Sequence, residues 1–205
     1  MMKDIKTPFK TINCPQCGYA LPLYFAHTKL AQCESCKSSI FLEDEAARLT
    51  GYSSVLAPEP SLIQLNKTFR YKKQTFLPVG VIRYSYGRGF WEEWWLKDNS
   101  DDEWWLSVDE GDMVLEKLVP NEDKAEIFVT IKVGQTLGDW IVTEIDRGEC
   151  VGFGGSLPYE VIEGQKHNYI QFDGYDASIK TLEVDPSGLR TYIGRWIDPF
   201  DIKVL

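Results

Sequence analysis

Four of the five cysteines in this 205-residue chain are spaced for metal chemistry. Cys14-Pro-Gln-Cys17-Gly18 and Cys33-Glu-Ser-Cys36-Lys37 together read C-x2-C, fifteen residues, C-x2-C. Each pair makes a tight turn whose amides point at sulfur, and two such turns close a tetrahedron of thiolates around Zn²⁺. With sulfur at all four corners no coordination position stays open, so the expected zinc is structural, not catalytic. The other readings are two disulfides or a redox C-x-x-C. Disulfides suit a cytoplasmic chain poorly, and the redox motif belongs beside a βαβ unit, which the pattern lacks. Zinc would also supply folding energy, roughly 10–16 kcal/mol apparent for such sites, to a segment too short to build a core. His27, between the two pairs, reads as a loop residue. Cys150 in GECVGFGG reads as a small buried hydrophobe. As a nucleophile it would need a base, and the spacing to His167 supports no such pair.

A second group of residues joins aromatic rings to carboxylates. In Phe90-Trp91-Glu92-Glu93-Trp94-Trp95-Leu96 a strand places Trp91, Glu93 and Trp95 on one face and Phe90, Trp94 and Leu96 on the other. The second face is the better core, interrupted only by Glu92. Trp91, Trp95 and Trp104 with Glu93, Asp109 and Glu110 then form an acidic aromatic surface, which attracts ammonium or guanidinium groups. The competing reading fills a barrel with these Trp and leaves the acids as a solvated rim. The glycine run Gly152–Gly155 lacks the Lys-Ser/Thr of a phosphate loop and reads as a tight bend between strands. Asp173, Asp176, Asp185 and Asp198 show no hard-metal spacing.

Composition narrows the partners. The chain holds 22 basic and 31 acidic residues, for a net charge of −9. Residues 91–126 alone carry 13 acidic and 3 basic groups, so the acid excess sits on the Trp-rich stretch. That balance argues against nucleic acid as the main partner. Residues 10–40 offer only Lys10, Lys29 and Lys37 against Glu34, a thin basic patch for a nucleic-acid-binding ribbon. No run is long enough for a transmembrane segment. The first ten residues lack the apolar core of a signal peptide, so the expected compartment is the cytoplasm.

These residues need elements to hold them. Ala20–Phe25 and Ser39–Leu42 are the expected strands behind the metal, giving a zinc ribbon over 1–42. Residues 43–60 read as a connector. Glu43–Thr50 is expected to form a short helix stopped by Gly51, and Ser53–Ser61 an extended linker. Short aromatic and β-branched runs follow at Thr75–Tyr86, Phe90–Asp98, Glu103–Val108 and Met113–Val119. A second set comprises Ile127–Val133, Trp140–Ile145, Tyr169–Phe172, Lys180–Val184, Thr191–Ile197 and Ile202–Leu205. The fold class is mostly β: a zinc ribbon, then two small barrel-like or sandwich-like units (SH3-like barrels, for example) over 61–120 and 121–205. Leu65-Asn66-Lys67-Thr68-Phe69 parallels Val133-Gly134-Gln135-Thr136-Leu137. Asn66 and Gly134 both tolerate a left-handed turn, which suggests a weak internal repeat.

The four-cysteine ribbon, then LIQLNK at 62–67, PVGVIRY at 78–84, Gly89–Leu96 with its G-x-W-x-E-W-x-L pattern, and Trp105-Leu106-Ser107 together resemble one family. It is the bacterial domain-of-unknown-function family 4178, often preceded by such a ribbon. Gly148–Leu157 and Tyr192-Ile193-Gly194 extend the resemblance over most of the chain. Asn66 departs from the family's usual Gly. The resemblance implies a β-rich domain without known activity and no catalytic residues to carry over. It also implies genes that neighbour those for membrane-stress proteins and polyamine aminopropyltransferases.

The expected function is a non-catalytic cytoplasmic adaptor that binds a partner protein through the acidic Trp-rich face, in a bacterial membrane-stress or envelope-maintenance system. The alternative is a polyamine or small-cation binding module using the same residues. A nucleic-acid-binding ribbon and an unrecognised enzyme rank below both.

Overall fold

The computed structural model describes residues 4–43, 46–57, 59–121, 127–186 and 188–205. The N-terminal part holds β1 (Lys10–Asn13) paired with β2 (Ala20–Leu23), then β3 (Leu30–Gln32), β4 (Ser38–Glu43) and β5 (Ala46–Ser53) in a second antiparallel set. The short helix expected over Glu43–Thr50 is a strand. Its helix formers are overruled because Ala46–Leu49 complete a ladder with β4, where Leu49 opposes the buried Ile40. Asp44 and Glu45 lie outside the described residues. The expected linker, Ser53–Ser61, starts on the last residue of β5, and its other described residues have no regular structure yet are tied down, Pro58 lying outside the described residues. Ser54 is buried and its Oγ accepts from the Phe153 amide at 2.8 Å, while the Ala57 carbonyl accepts from Arg83 Nη1 at 2.9 Å.

The rest is a ring. β6 (Phe69–Tyr71) leads into a meander of β7 (Gln74–Ser85), β8 (Phe90–Asp98), β9 (Glu103–Asp109) and β10 (Asp112–Val119). A helical turn, α1 (Ile127–Thr130), stands where a strand over Ile127–Val133 was expected. It lays Ile127, Phe128 and Ile131 over the outer side of the following strands. β11 (Thr136–Leu137) then leads into a second meander of β12 (Trp140–Leu157), β13 (Lys166–Asp173), β14 (Ser178–Asp185) and β15 (Gly188–Ile197). β10 pairs with β15 and β12 pairs with β7, all antiparallel. Following hydrogen-bonded neighbours through these eight strands returns to the start. The strands expected in two β units therefore share one ring, joined last strand to last and first strand to first. β16 (Ile202–Val204) closes on β6 outside it.

β12 makes the closure. Its first half pairs with β13 and its second half with β7, with a register shift between Cys150 and Gly152. Its end, Ser156–Leu157, pairs with β3 and so ties the ribbon to the ring. The glycine run bends this single long strand instead of separating two strands. Gly155 has φ 69°, and a Cβ there would lie 2.3 Å from the Val79 carbonyl oxygen. The two turns read as a repeat are equivalent in build. Asn66 (φ 62°) donates its amide to Pro78 O at 2.9 Å, and Gly134 (φ 85°) donates its amide to Val142 O at 2.8 Å.

Both faces of the Trp-rich strand are covered. Trp94, Leu96, Leu106, Met113 and Leu115 pack outside the ring against Phe69, Phe76 and Ile63. Trp91, Trp95 and Trp105 pack inside it with Tyr84, Phe153 and Tyr192. A closed sheet with an outer layer of chain can bury both sides of a strand, which a lone small sandwich cannot.

Candidate functional site

The ribbon brings its four sulfurs together. All lie within 4.8 Å of one another, and Cys14–Cys36 and Cys17–Cys33 are each separated by 3.7 Å. A tetrahedron with metal–sulfur bonds of about 2.3 Å has edges of roughly 3.8 Å, so the spacing fits one metal ion. The two turns are alike. Gly18 N donates to Cys14 O and Lys37 N donates to Cys33 O, both at 2.9 Å. Gly18 (φ 77°) and Lys37 (φ 62°) are both left-handed, as that turn requires. None of the five cysteines is in a disulfide. His27 stays outside the metal group, with Nε2 2.8 Å from Glu103 Oε2. Cys150 is 1% exposed, and burial pushes its thiol up to about 12.

The ring encloses a cavity of about 180 Å³. Side-chain alternation decides its lining. Trp91 and Glu93 of β8 oppose Asp109 and Ser107 of β9. These in turn oppose Asp112 and Val114 of β10, with Glu116 one step further in. Gln171 and Tyr169 of β13 face Thr181 and Glu183 of β14, with Glu144 of β12 beside them. Trp196, His167 and Ile179 complete the wall. Six carboxylates line the space, and no Lys or Arg does among the described residues.

Each inner carboxylate has a different partner. Glu93 Oε1 accepts from Trp91 Nε1 at 2.9 Å. Glu116 Oε1 accepts from Thr181 Oγ1 at 2.7 Å. Glu183 meets Arg190 Nε at 3.4 Å, and the Arg190 guanidinium also reaches Asp185 at 2.6 Å and stacks on Tyr159 at 4.2 Å. Burial and the nearby Glu183 and Glu116 push the Glu93 carboxyl well above the ordinary range. Burial pushes Glu116 up to about 8, against the Thr181 hydrogen bond that works the other way. Uncompensated charge in low dielectric is costly, so both groups favour the protonated form.

His167 is 2% exposed and lies at the inner end of the cavity. Its ring stacks on Tyr84 at 4.4 Å, and Nε2 faces Glu183 Oε1 at 3.7 Å. Its Nδ1 is buried with no hydrogen-bond partner among the described residues. Burial pushes the imidazole below its ordinary value, with Glu183 opposing and Arg190 reinforcing the shift.

The predicted acidic aromatic face is thus partly inside the ring and partly dispersed. Trp91, Glu93 and Asp109 line the cavity. Trp95 lies deeper, fully buried, and donates Nε1 to Glu103 at 3.0 Å. Trp104 points outward on the other face, donating Nε1 to Asp98 at 3.0 Å with Lys117 Nζ 4.3 Å over its ring. Glu110 sits in the exposed β9–β10 turn near Tyr86. Strand parity carries the reason: Trp104 is one residue out of step with Trp105, so it lands on the opposite face. Glu116, Glu144, Glu183, His167, Tyr169 and Trp196 were missed. All but Glu116 come from the second meander, which meets the first only through ring closure, while Glu116 shares the inward parity of Asp112 and Val114 on β10.

The ribbon closes the far end. Phe25 packs on Trp95 with ring centroids 4.6 Å apart. Lys29 N donates to Leu157 O at 2.9 Å, and Asn66 Nδ2 donates to Glu34 Oε1 at 2.7 Å. At the other end the exposed Asp109, Asp112 and Glu144 mark the mouth of the lumen.

A family model described as a domain of unknown function (DUF4178) matches residues 64–199. The chain belongs to this family. The DUF4178 span begins at the Asn66 turn, takes in both meanders and ends just past β15, so every cavity-lining residue falls within it. The ribbon lies outside it. Among curated proteins and among solved structures nothing matches the chain. No helix among the described residues is long and apolar enough to cross a membrane.

Proposed function

We propose that this DUF4178 protein is a non-catalytic binding module that takes a small organic cation into the ring lumen, with zinc in the ribbon as a structural ion. The observation that carries the reading is the cavity itself: six carboxylates and the rings of Trp91, Tyr169 and Trp196, with no Lys or Arg in the wall among the described residues. Ring faces and carboxylates both favour ammonium groups; three cation–π contacts at roughly 0.5–2 kcal/mol each fall short of the roughly 8 kcal/mol of micromolar binding, so the carboxylates must supply the rest. Four thiolates suit zinc, and a site without an open position suits structure. The adaptor reading loses its surface, because Trp91 and Trp95 face inward and Trp104 and Glu110 lie elsewhere. A cytoplasmic setting, where thiolates stay reduced, suits the ribbon.

Titration of the zinc-loaded chain with spermidine, followed by Trp fluorescence at low salt and at about 0.15 M salt, tests the proposal. Saturable quenching that survives the higher salt supports an enclosed cation site. No response, or one abolished by salt, rejects it.

A further inference from the structure

The lumen is rich in carboxyl groups, and each one that gives up its proton becomes an acceptor in want of a donor. Trp91 Nε1 and Thr181 Oγ1 already serve Glu93 and Glu116. Once ionised, a carboxylate offers about four lone-pair sites, more than these donors and the Ser107 hydroxyl on Glu93 fill. His167 adds another acceptor. The Glu183 carboxylate stands 3.7 Å from Nε2, beyond hydrogen-bond reach but on the side where its charge favours the ring proton. With the proton on Nε2, Nδ1 carries a lone pair, and Nδ1 is buried without a partner among the described residues. A buried polar atom in that state costs free energy that an incoming donor recovers.

We propose that the occupant of this lumen is a small cation bearing N–H donors, a primary ammonium or a guanidinium, and not a permethylated ammonium. The inference rests on the cation reading above and adds which cations qualify. An aromatic cage alone accepts a permethylated head, because that contact needs only charge over ring faces. Here the walls also present Glu93, Glu116 and the His167 ring, whose polar atoms methyl groups cannot satisfy. Charge-assisted N–H···O contacts are directional and about twice as strong as neutral ones. A site built to hydrogen-bond a polar group rejects the analogue lacking it, because its own buried groups are then left unpaired. The volume of about 180 Å³ restricts the inserted part to a few heavy atoms.

Isothermal titration of the full-length, zinc-loaded chain at pH 8 with three probes decides the matter: 1,4-diaminobutane, agmatine, and the hexamethyl bis-ammonium analogue of the diamine. The expected result is at least tenfold tighter binding of the diamine or agmatine than of the permethylated probe. Glu116→Gln should cut that preference to less than threefold. If Glu116→Gln does not fold, as judged by circular dichroism, the wild-type probe series still decides. Equal affinity for methylated and unmethylated probes overturns the donor requirement and leaves the cation reading standing. Absence of binding by all three overturns both.

Discussion

Glu116 is the residue with the clearest solution signature. Its carboxyl sits at about 8 because it is buried. The groups facing it across the lumen are Glu93, Asp109, Asp112, Glu144, His167 and Glu183, the last backed by Arg190. A carboxyl raised in the folded state keeps a proton that the unfolded chain has already released. The stability it contributes is full below the unfolded value of about 4.3 and is lost as pH rises through the folded value. The ligand-free protein should therefore become less stable to urea between pH 6.5 and 8.5, and Glu116→Gln should flatten that slope. An unchanged slope in the variant would assign the pH dependence to other groups. Cation binding has the opposite sign, since it needs the carboxylate: affinity should rise over the same interval with proton release, read from the buffer dependence of the binding heat. None of this was legible in the sequence. Glu116 lies on β10 and its partner Thr181 on β14, 65 positions apart, and only ring closure makes them neighbours.

At the scale of elements, the ribbon turns and the β12 bend make separate predictions. Lys37 occupies a left-handed position that its counterpart Gly18 fills without a Cβ. A left-handed L-residue costs roughly 1–2 kcal/mol, part of which glycine returns as unfolded-state entropy. Lys37→Gly should thus stabilise the ribbon by about 0.5–1 kcal/mol, seen as slower metal release to a chelator. Gly148 on β12 faces the lumen, where an added Cβ would lie 2.2 Å from Trp91 Cη2. Gly148→Ala must push that ring off its seat, at a cost of about 1–3 kcal/mol. Thermal melting should show the loss, and spermidine quenching should weaken with it. The ribbon was legible because its ligands lie in two local turns whose spacing is itself the signal. The strands were legible from alternation and β-branched content. The error over Glu43–Thr50 came from trusting local helix propensity where β4 offered a ladder. The error over Ile127–Val133 had the same root, since an apolar run this short fits a strand or a helical turn equally.

On the scale of the whole molecule, the ribbon serves as the base of the barrel. Phe25 on Trp95 and the β3–β12 pairing tie the metal site to the lumen floor. Metal removal by a chelator under reducing conditions should unfold residues 10–42 while the barrel strands persist by circular dichroism. Trp emission should shift to the red as Trp95 loses its cover. A single cooperative collapse on chelation would instead show that ribbon and barrel fold as one. The paired turns at Asn66 and Gly134 were the sequence trace of the larger symmetry, but single-strand patterns hold no record of which edges join. Those edges carry a further consequence. Each meander is an open four-stranded sheet with its inner face stripped, and an isolated sheet of that kind has too little cover to stand in water. What completes either half is the other, presented edge to edge at both seams. The covalent link across 120–127 then serves chiefly to keep the concentration of each half high for the other. Cleaved after Pro120, the chain should behave as a split protein: two polypeptides, neither folded alone, that reconstitute one binding site when mixed.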